Sequence, residues 1–227
     1  MSEVRTRIAG VPVSKHYGTI AFTDAVRDVQ RAHGSDGFYD RKRVQGKAAP
    51  GLDALTEDEQ DFLAQRDSFY LASVSQTGWP YVQFRGGPTG FLRVVDDHTI
   101  GWADFRGNLQ YISTGNLGHN DRVALIAMDY LHRRRLKIFG RARIITAEDD
   151  PALLDTFADP GYDAVVERAV LVTVDAFDWN CPQHITPRFT EAEVDAAMGP
   201  AMSELHTLKA ENRALRQELE RLKRPQV

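Results

Sequence analysis

The sequence predicts a mainly-β fold with helices, in which an antiparallel barrel carries a helical extension at each end. Three observations predict it. Short runs rich in Val, Ile, Phe, Tyr and Trp follow one another between residues 69 and 179, broken by Gly, Pro, Asp or Asn. Turn chemistry separates neighbouring runs, as at Gln76-Thr77-Gly78 and Asp96-Asp97-His98, and closely spaced strands joined this way pair antiparallel. Residues 190–227 switch to a heptad pattern.

Residues 1–55 read as an N-terminal helical extension. One helix there is capped by Thr23, striped by Ala25, Val26 and Val29, and ended at Gly34. Ala48-Ala49-Pro50-Gly51 reads as a connection. Residues 56–189 hold the barrel. Thr56 with Glu59 is a capping-box pattern that starts a helix running through Arg66. Strands are expected at Phe69–Ser75, Pro80–Gly86, Phe91–Asp96, Thr99–Asp104, Arg122–Asp129, Arg135–Ile145 and Ala169–Trp179, with inserted helices at Leu109–Leu117 and Asp150–Phe157. Residues 190–227 are helical, and Thr190 with Glu193 repeats the capping-box pattern. Gly199-Pro200 is expected to break or kink this helix, which then runs to about Lys223 and is stopped by Pro225.

Numbered as heptads, the last helix places Met198, Leu205, Asn212 and Leu219 at position a and Ala201, Leu208, Leu215 and Leu222 at position d. A lone Asn at a costs stability but favours an in-register parallel pair. Glu204, Glu211 and Glu218 occupy g, and Lys209, Arg216 and Lys223 occupy the e positions that follow. In a parallel dimer g faces e′ and every pair is of opposite charge; an antiparallel pair sets like charges together. A Leu stripe alone would suit a helix packed on its own barrel, whereas the Asn and the charges favour a coiled coil that supplements a barrel interface in a homodimer. A DNA-binding zipper needs a basic region before the heptads, and Glu191, Glu193, Asp195 and Glu204 stand there instead.

The formal net charge is −4 over 227 residues, the wrong sign for a general nucleic-acid binder. The single cysteine, Cys181, has no partner for an internal disulfide and reads as inert. The pairs His98/His119 and His132/His184 lack ligand spacing, so no metal site is expected. Gly86-Gly87-Pro88-Thr89-Gly90 lacks the spacing of a nucleotide fingerprint and reads as a hairpin. No apolar run nears the ~20 residues of a membrane helix, and Met1–Lys15 lacks an apolar signal core, so a cytoplasmic protein without a membrane partner is expected.

Several motifs occur in a telling order. They are Gly78-Trp79-Pro80-Tyr81-Val82-Gln83-Phe84-Arg85-Gly86-Gly87, then Trp102-Ala103-Asp104 with the polar loop Phe105-Arg106-Gly107-Asn108-Leu109-Gln110, then Asn120-Asp121-Arg122-Val123. Arg135–Ala142, with its Gly-x-Ala end, and Asp178–Ile185 follow. Over about residues 18–190 this series resembles the FMN-binding split barrel of the pyridoxamine 5′-phosphate oxidase-like family. The resemblance implies an antiparallel split β-barrel, FMN as cofactor, sites built at a homodimer interface, and hydride or electron transfer to or from a small organic substrate.

The resemblance also implies site residues. Arg106 matches a phosphate-contacting arginine, and Arg106, Gly107, Asn108 and Gln110 offer a cation, backbone N–H groups and amides just before a helix. Gln83 stands where the family has a second phosphate cation. Phe84 and Arg85 fall where backbone groups border the flavin ring, Trp102 and Ala103 where the partner strand does, and Arg135 where a polar residue touches the flavin. Asn180, Gln183 and His184 fall in the late motif of one branch of the superfamily. Blander roles compete. Arg106 suits a solvated loop, Trp102 and Phe84 suit a core, and His184 reads equally as an acid–base group or a structural histidine. Arg133-Arg134-Arg135 suit an exposed basic patch and alternate faces on a strand, so at most Arg134 or the Arg133/Arg135 pair points inward. Asp104 and Asp178 read as turn or cap residues. The Arg-x-His element that grips substrate in pyridoxamine phosphate oxidases is absent from Asn180–Arg188, so oxidation of a B6 compound is not implied. The same fold with the deazaflavin F420 or haem, and a non-enzymatic flavin-binding sensor or adaptor, are the other readings.

Overall fold

The computed structural model describes residues 16–40, 51–180 and 182–223. The connection at 48–50, Cys181 and Pro225 lie outside the described residues. The chain divides into two compact units, one up to Ile185 and one from Thr186 onward.

The first unit is built on one antiparallel sheet. Its strands are β1 (Ser68–Val74), β2 (Pro80–Gly86), β3 (Arg93–Asp96), β4 (Thr99–Phe105), β5 (Arg122–Asp129), β6 (Arg134–Ile145) and β7 (Val166–Trp179). They lie in the order β2-β1-β5-β6-β7-β4-β3. Every expected strand is present, with ends displaced by a few residues at most. The two edges, β2 and β3, are consecutive in sequence and joined by residues 87–92. The sheet curls until side chains meet across the gap between them. Arg85 of β2 pairs with Asp104 of β4, and the rings of Phe69 of β1 and Trp102 of β4 meet edge to face at 4.9 Å. The result is an antiparallel barrel split at its edges.

Strand alternation fills it. β1 buries Phe69, Leu71 and Ser73, and β5 buries Val123, Leu125 and Ala127, each at every second position. With Trp102, Leu136, Ile138, Val172 and Val174 the apolar members of these two rows make the main core. A second cluster of Ala103, Ile145, Leu154, Phe157, Ala169 and Leu171 lies under a short helix, Pro151–Phe157.

The other helices follow their caps. α1 is Tyr17–Ala21 and α2 is Asp24–Ala32; Thr23 Oγ1 accepts from the Val26 N–H to cap α2, as expected. The α2 stripe is nonetheless uncovered, with Val26 and Val29 exposed. α3, Glu57–Ala64, opens on the expected capping box. Its Glu59 carboxylate is fully buried and accepts from the Thr56 N–H at 2.9 Å, the Thr56 hydroxyl and Trp179 Nε1 at 2.6 Å. α3 stops short of Arg66, whose guanidinium instead bonds the Phe62 and Met128 carbonyls. α4 (Ile112–Leu117) follows β4, and α5 is the Pro151–Phe157 helix.

Among the described glycines of the sheet, Gly140 has the closest backbone neighbour for an added Cβ. The β6–β7 register slips between Phe139 and Gly140, and a Cβ at Gly140 would lie 2.5 Å from the Thr173 carbonyl oxygen and from Val172 Cγ1. A backbone atom cannot swing aside, so Gly140→Ala should destabilise the barrel by about 1–3 kcal/mol through overpacking, read as a lowered denaturant midpoint with an unchanged slope.

The second unit contains α6, Glu191–Lys223. The Thr190 N–H donates to Glu193 Oε2 at 2.7 Å and the Glu193 N–H donates to Thr190 Oγ1 at 3.2 Å, closing the expected capping box. Of the break or kink expected at Gly199-Pro200, the break does not occur, and α6 continues as one helix through Pro200. A proline removes a single i→i−4 bond, and the alanines on both sides of this one are strong helix formers that carry the helix past it. None of the residues of α6 is buried. Among the described residues no helix is long and apolar enough to cross a membrane.

Candidate functional site

A cavity of about 260 Å³ opens where β2 meets β4. Gln83 and Arg85 line it from β2, Asp104 and Phe105 from the end of β4, residues 107–111 from the loop that follows, Ser113 and Thr114 from α4, and Glu167 from the start of β7. Strand register explains two of these. Arg85 lies opposite Phe69, and Gln83 opposite Leu71, so both polar side chains share the inward face of the sheet. Their neighbours Val82 and Phe84 point outward and are exposed.

The charges form one network. Arg85 donates to Asp104 Oδ1, and Arg168 Nε lies 3.7 Å from Asp104 Oδ2. Arg168 also donates to Glu167 Oε2 at 2.5 Å and Thr114 Oγ1 at 3.0 Å, and its guanidinium sits 4.9 Å from the centre of the Tyr111 ring. Glu167 Oε1 accepts from Arg106 Nε at 2.9 Å and from the Tyr111 hydroxyl at 3.2 Å. Among the described residues three guanidiniums thus meet two carboxylates, leaving one positive charge in excess. Arg85 Nε is buried without a hydrogen-bond partner. Ser113 donates to Gln83 Oε1 at 2.7 Å. The loop itself is strained: Leu109 and Tyr111 hold φ values of 60° and 51°, which non-glycine residues rarely adopt. The Tyr111–Glu167 and Tyr111–Arg168 contacts hold it there.

Burial pushes the Asp104 carboxyl above its ordinary value of 3.8, outweighing the pull of Arg85 and then Arg168. Glu167 goes the other way: the hydrogen bond from Arg106, with help from Arg168 and Tyr111, holds it below the ordinary glutamate value. A raised folded-state value means the folded protein binds that proton more tightly than the unfolded chain. Its stabilisation is complete below 3.8 and is lost as pH rises through the folded value. The stability of the wild type relative to Asp104→Asn should therefore fall over that window, in denaturant melts taken from acid to neutral pH. A flat difference would mean that Asp104 does not titrate as described.

The structure divides the residues singled out from sequence. Gln83, Arg85, Asn108 and Gln110 line the cavity, and exposed Arg106 reaches its rim through Glu167. The helix expected from Leu109 starts at Ile112, so Arg106, Gly107 and Asn108 sit in the loop rather than at its first turn. The left-handed residues Leu109 and Tyr111 are the reason. Phe84 lies on the opposite face of β2, edge-on to Tyr70 at 5.8 Å. The side chains of Trp102 and Ala103 are taken up by the core.

Arg135 lies away from the cavity within the chain. Register runs from Arg85 to Phe69, Ala127 and Leu136, so Leu136 shares the inward face and its neighbour Arg135 points outward. Arg134 shares the strand face of Leu136 but stays exposed, its guanidinium over the Phe62 and Trp179 rings at 5.4 and 4.4 Å. On the outer face the Asn180 N–H donates to the Arg135 carbonyl at 3.2 Å, and Arg135 Nε and Asn180 Oδ1 are buried without partners. Gln183 and His184 are exposed on the segment after β7, His184 with φ 63°. One chain therefore holds two separate groups of the expected residues.

Asp104, expected in a turn or cap, is a buried ion-pair partner at the cavity. Asp178 is likewise no cap; it pairs with Lys137 across β6 and β7 at 3.5 Å. Glu167, Arg168, Tyr111, Ser113 and Thr114 were not singled out. The available signal was the ionisable residues Arg85, Asp104, Glu167 and Arg168 inside or beside apolar strands, where an unpaired charge is costly.

HupZ of Group A Streptococcus is 16% identical over 60% of this chain and 99% of its own, with a TM-score of 0.46. A Clostridium acetobutylicum protein related to general stress protein 26, of the pyridoxinephosphate oxidase family, is 13% identical over 60% of this chain and 94% of its own, with a TM-score of 0.43. An FMN-binding protein from Syntrophomonas wolfei is 12% identical over 69% of this chain and 97% of its own, with a TM-score of 0.40. Likeness at this level says nothing of ligand or activity. No curated protein matches the chain. The sequence profile of the pyridoxamine 5′-phosphate oxidase family, by contrast, matches residues 55–176, a span that takes in β1 to β6, most of β7 and every residue lining the cavity. By that match over more than half its length, the chain belongs to the pyridoxamine 5′-phosphate oxidase family.

Proposed function

We propose that the chain is an FMN-binding flavoprotein, working as a homodimer, that transfers hydride or electrons to or from a small organic substrate. The observation that carries this reading is the cavity between β2 and β4, with its excess positive charge and its partnerless, buried Arg85 Nε. That donor set fits a phosphate monoester on a polyol chain. Arg85 and Arg106 would hold the phosphate by charge-assisted bonds, and Gln83, Asn108, Gln110 and Ser113 would meet the hydroxyls. Bound FMN would supply a ring that takes up and gives back hydride or single electrons.

The cavity is somewhat smaller than the ~300–1,000 Å³ of sites that enclose a whole ligand. It suits the phosphate and ribityl end and leaves the ring to a surface that a second protomer would cover. Exposed Val82 and Phe84 on β2, with Leu109 and Ile112 beside the cavity, offer apolar area for that contact. The outer-face pair Arg135 and Asn180 belongs to the same site only if two chains contribute. The protein's own residues would then fix the ring and exclude water, while the missing Arg-x-His element points the substrate away from B6 phosphates.

The purified protein should be yellow or take up added FMN to saturation. Colourless protein that ignores FMN would sink the reading. Extraction and mass measurement of the bound molecule would separate FMN from F420 and haem.

A further inference from the structure

We infer that α6 is one strand of a parallel, in-register, two-stranded coiled coil whose other strand is α6 of a second copy of this chain. The inference rests on the helix alone and is independent of the flavin reading. At about 1.5 Å per residue the 33 residues of α6 span roughly 50 Å. Because the helix is unbroken, the heptads extend back from Met198 to Val194 at position d, and Gly199 and Pro200 fall at b and c, on the outer face away from the stripe. The stripe of Val194, Met198, Leu205, Leu208, Leu215, Leu219 and Leu222 is 40–70% exposed along its whole length. A continuous apolar seam of that kind is what a partner helix covers.

Charge selects the partner. Glu204 and Glu211 at g would face Lys209 and Arg216 at e′ of an identical helix running the same way. Glu218 and Lys223 are already engaged on their own helix, with Arg221 at 2.6 Å and Glu220 at 3.6 Å, so the two earlier pairs carry the selection. Asn212 adds register. In a parallel pair it meets its own copy and the two amides bond each other, whereas any shift would face it with Leu.

The test uses the full chain with Cys181→Ser and Leu208→Cys. Position 208 is a d site, which faces its own copy only in a parallel, in-register pair; an antiparallel pair sets d against a′. Mild oxidation should convert most of the protein to a disulfide dimer. Gln217→Cys, on the outer f position, should cross-link at least tenfold more slowly. Adding Glu204→Lys and Glu211→Lys to the Leu208→Cys chain should abolish the cross-link, and mixing that chain with one carrying Leu208→Cys, Lys209→Glu and Arg216→Glu should restore it. Equal yields at 208 and 217, no cross-link at 208, or no recovery in the mixture would each overturn the inference. The first would mean unspecific collision, the second an antiparallel pair or a helix without a partner, and the third a pairing blind to charge.

Discussion

Replacing Glu59 with alanine should destabilise the protein by about 3 kcal/mol, and by more than any surface substitution. The carboxylate is wholly buried and serves three donors at once: the Thr56 N–H, the Thr56 hydroxyl and Trp179 Nε1. Half-buried Trp179 Nε1 would lose its partner at a cost of roughly 1–3 kcal/mol, and the lost capping box at exposed Thr56 adds about 1. The damage should extend beyond α3. Trp179 packs edge-on against Phe62 at 4.7 Å and carries Arg134 on its face, so the bond to Glu59 ties the end of β7 to α3, whose Phe62 and Leu63 lie in the main core. Glu59→Gln keeps one acceptor oxygen and should recover more than half of the loss. Urea melts decide the matter: an alanine variant within 0.5 kcal/mol of wild type, inside the usual range for surface changes, would mean that Glu59 holds nothing together.

Arg85→Ala should weaken FMN binding by roughly 10- to 150-fold, the equivalent of one charge-assisted hydrogen bond at about 1.5–3 kcal/mol. The substitution removes the cavity's partnerless N–H and the cation nearest to Asp104. Arg85→Lys keeps the charge but not the fork, and should restore only part of the affinity. Stability and affinity should separate in the double change Arg85→Ala with Asp104→Asn. Removing both charges relieves the stranded carboxylate, so the fold should recover while binding does not. Arg141→Ala, an exposed cation on β6 paired with Asp121, serves as the control and should bind FMN normally. Flavin fluorescence quenching gives the affinities. Equal losses in the Arg85 and Arg141 variants would place the cofactor elsewhere.

The strands were legible because their signal is local: apolar runs of strand length, punctuated by residues that turn. The two capping boxes were legible for the same reason, since four adjacent residues define each. The site was half legible. Gln83, Arg85, Asn108 and Gln110 lie in motifs, but the partners that give them meaning do not lie near them in sequence. Arg85 and Asp104 sit on strands that are not neighbours in the sheet, and they meet only because the sheet curls. Glu167 reaches Arg106 from 61 residues away. Nothing in Leu109 or Tyr111 announces a left-handed backbone, which the Arg168 network imposes from outside the loop. At Pro200 a sound local rule met a helix whose other residues sustain it.

The split in the barrel has a dynamic consequence. Among the described residues β2 pairs only with β1, and β3 only with β4, so each edge keeps one row of backbone amides outside the ladder. The seam between them is closed by side chains, chiefly Arg85 on Asp104 and Phe69 on Trp102. Such a seam breathes without the rest of the sheet melting, and deuterium from solvent should enter its amides first. A molecule lodged against Arg85, Asp104 and the 107–111 loop would act as a stitch across it. Exchange along both edges should then slow together, making the barrel's softest line a gauge of whether its cavity is filled.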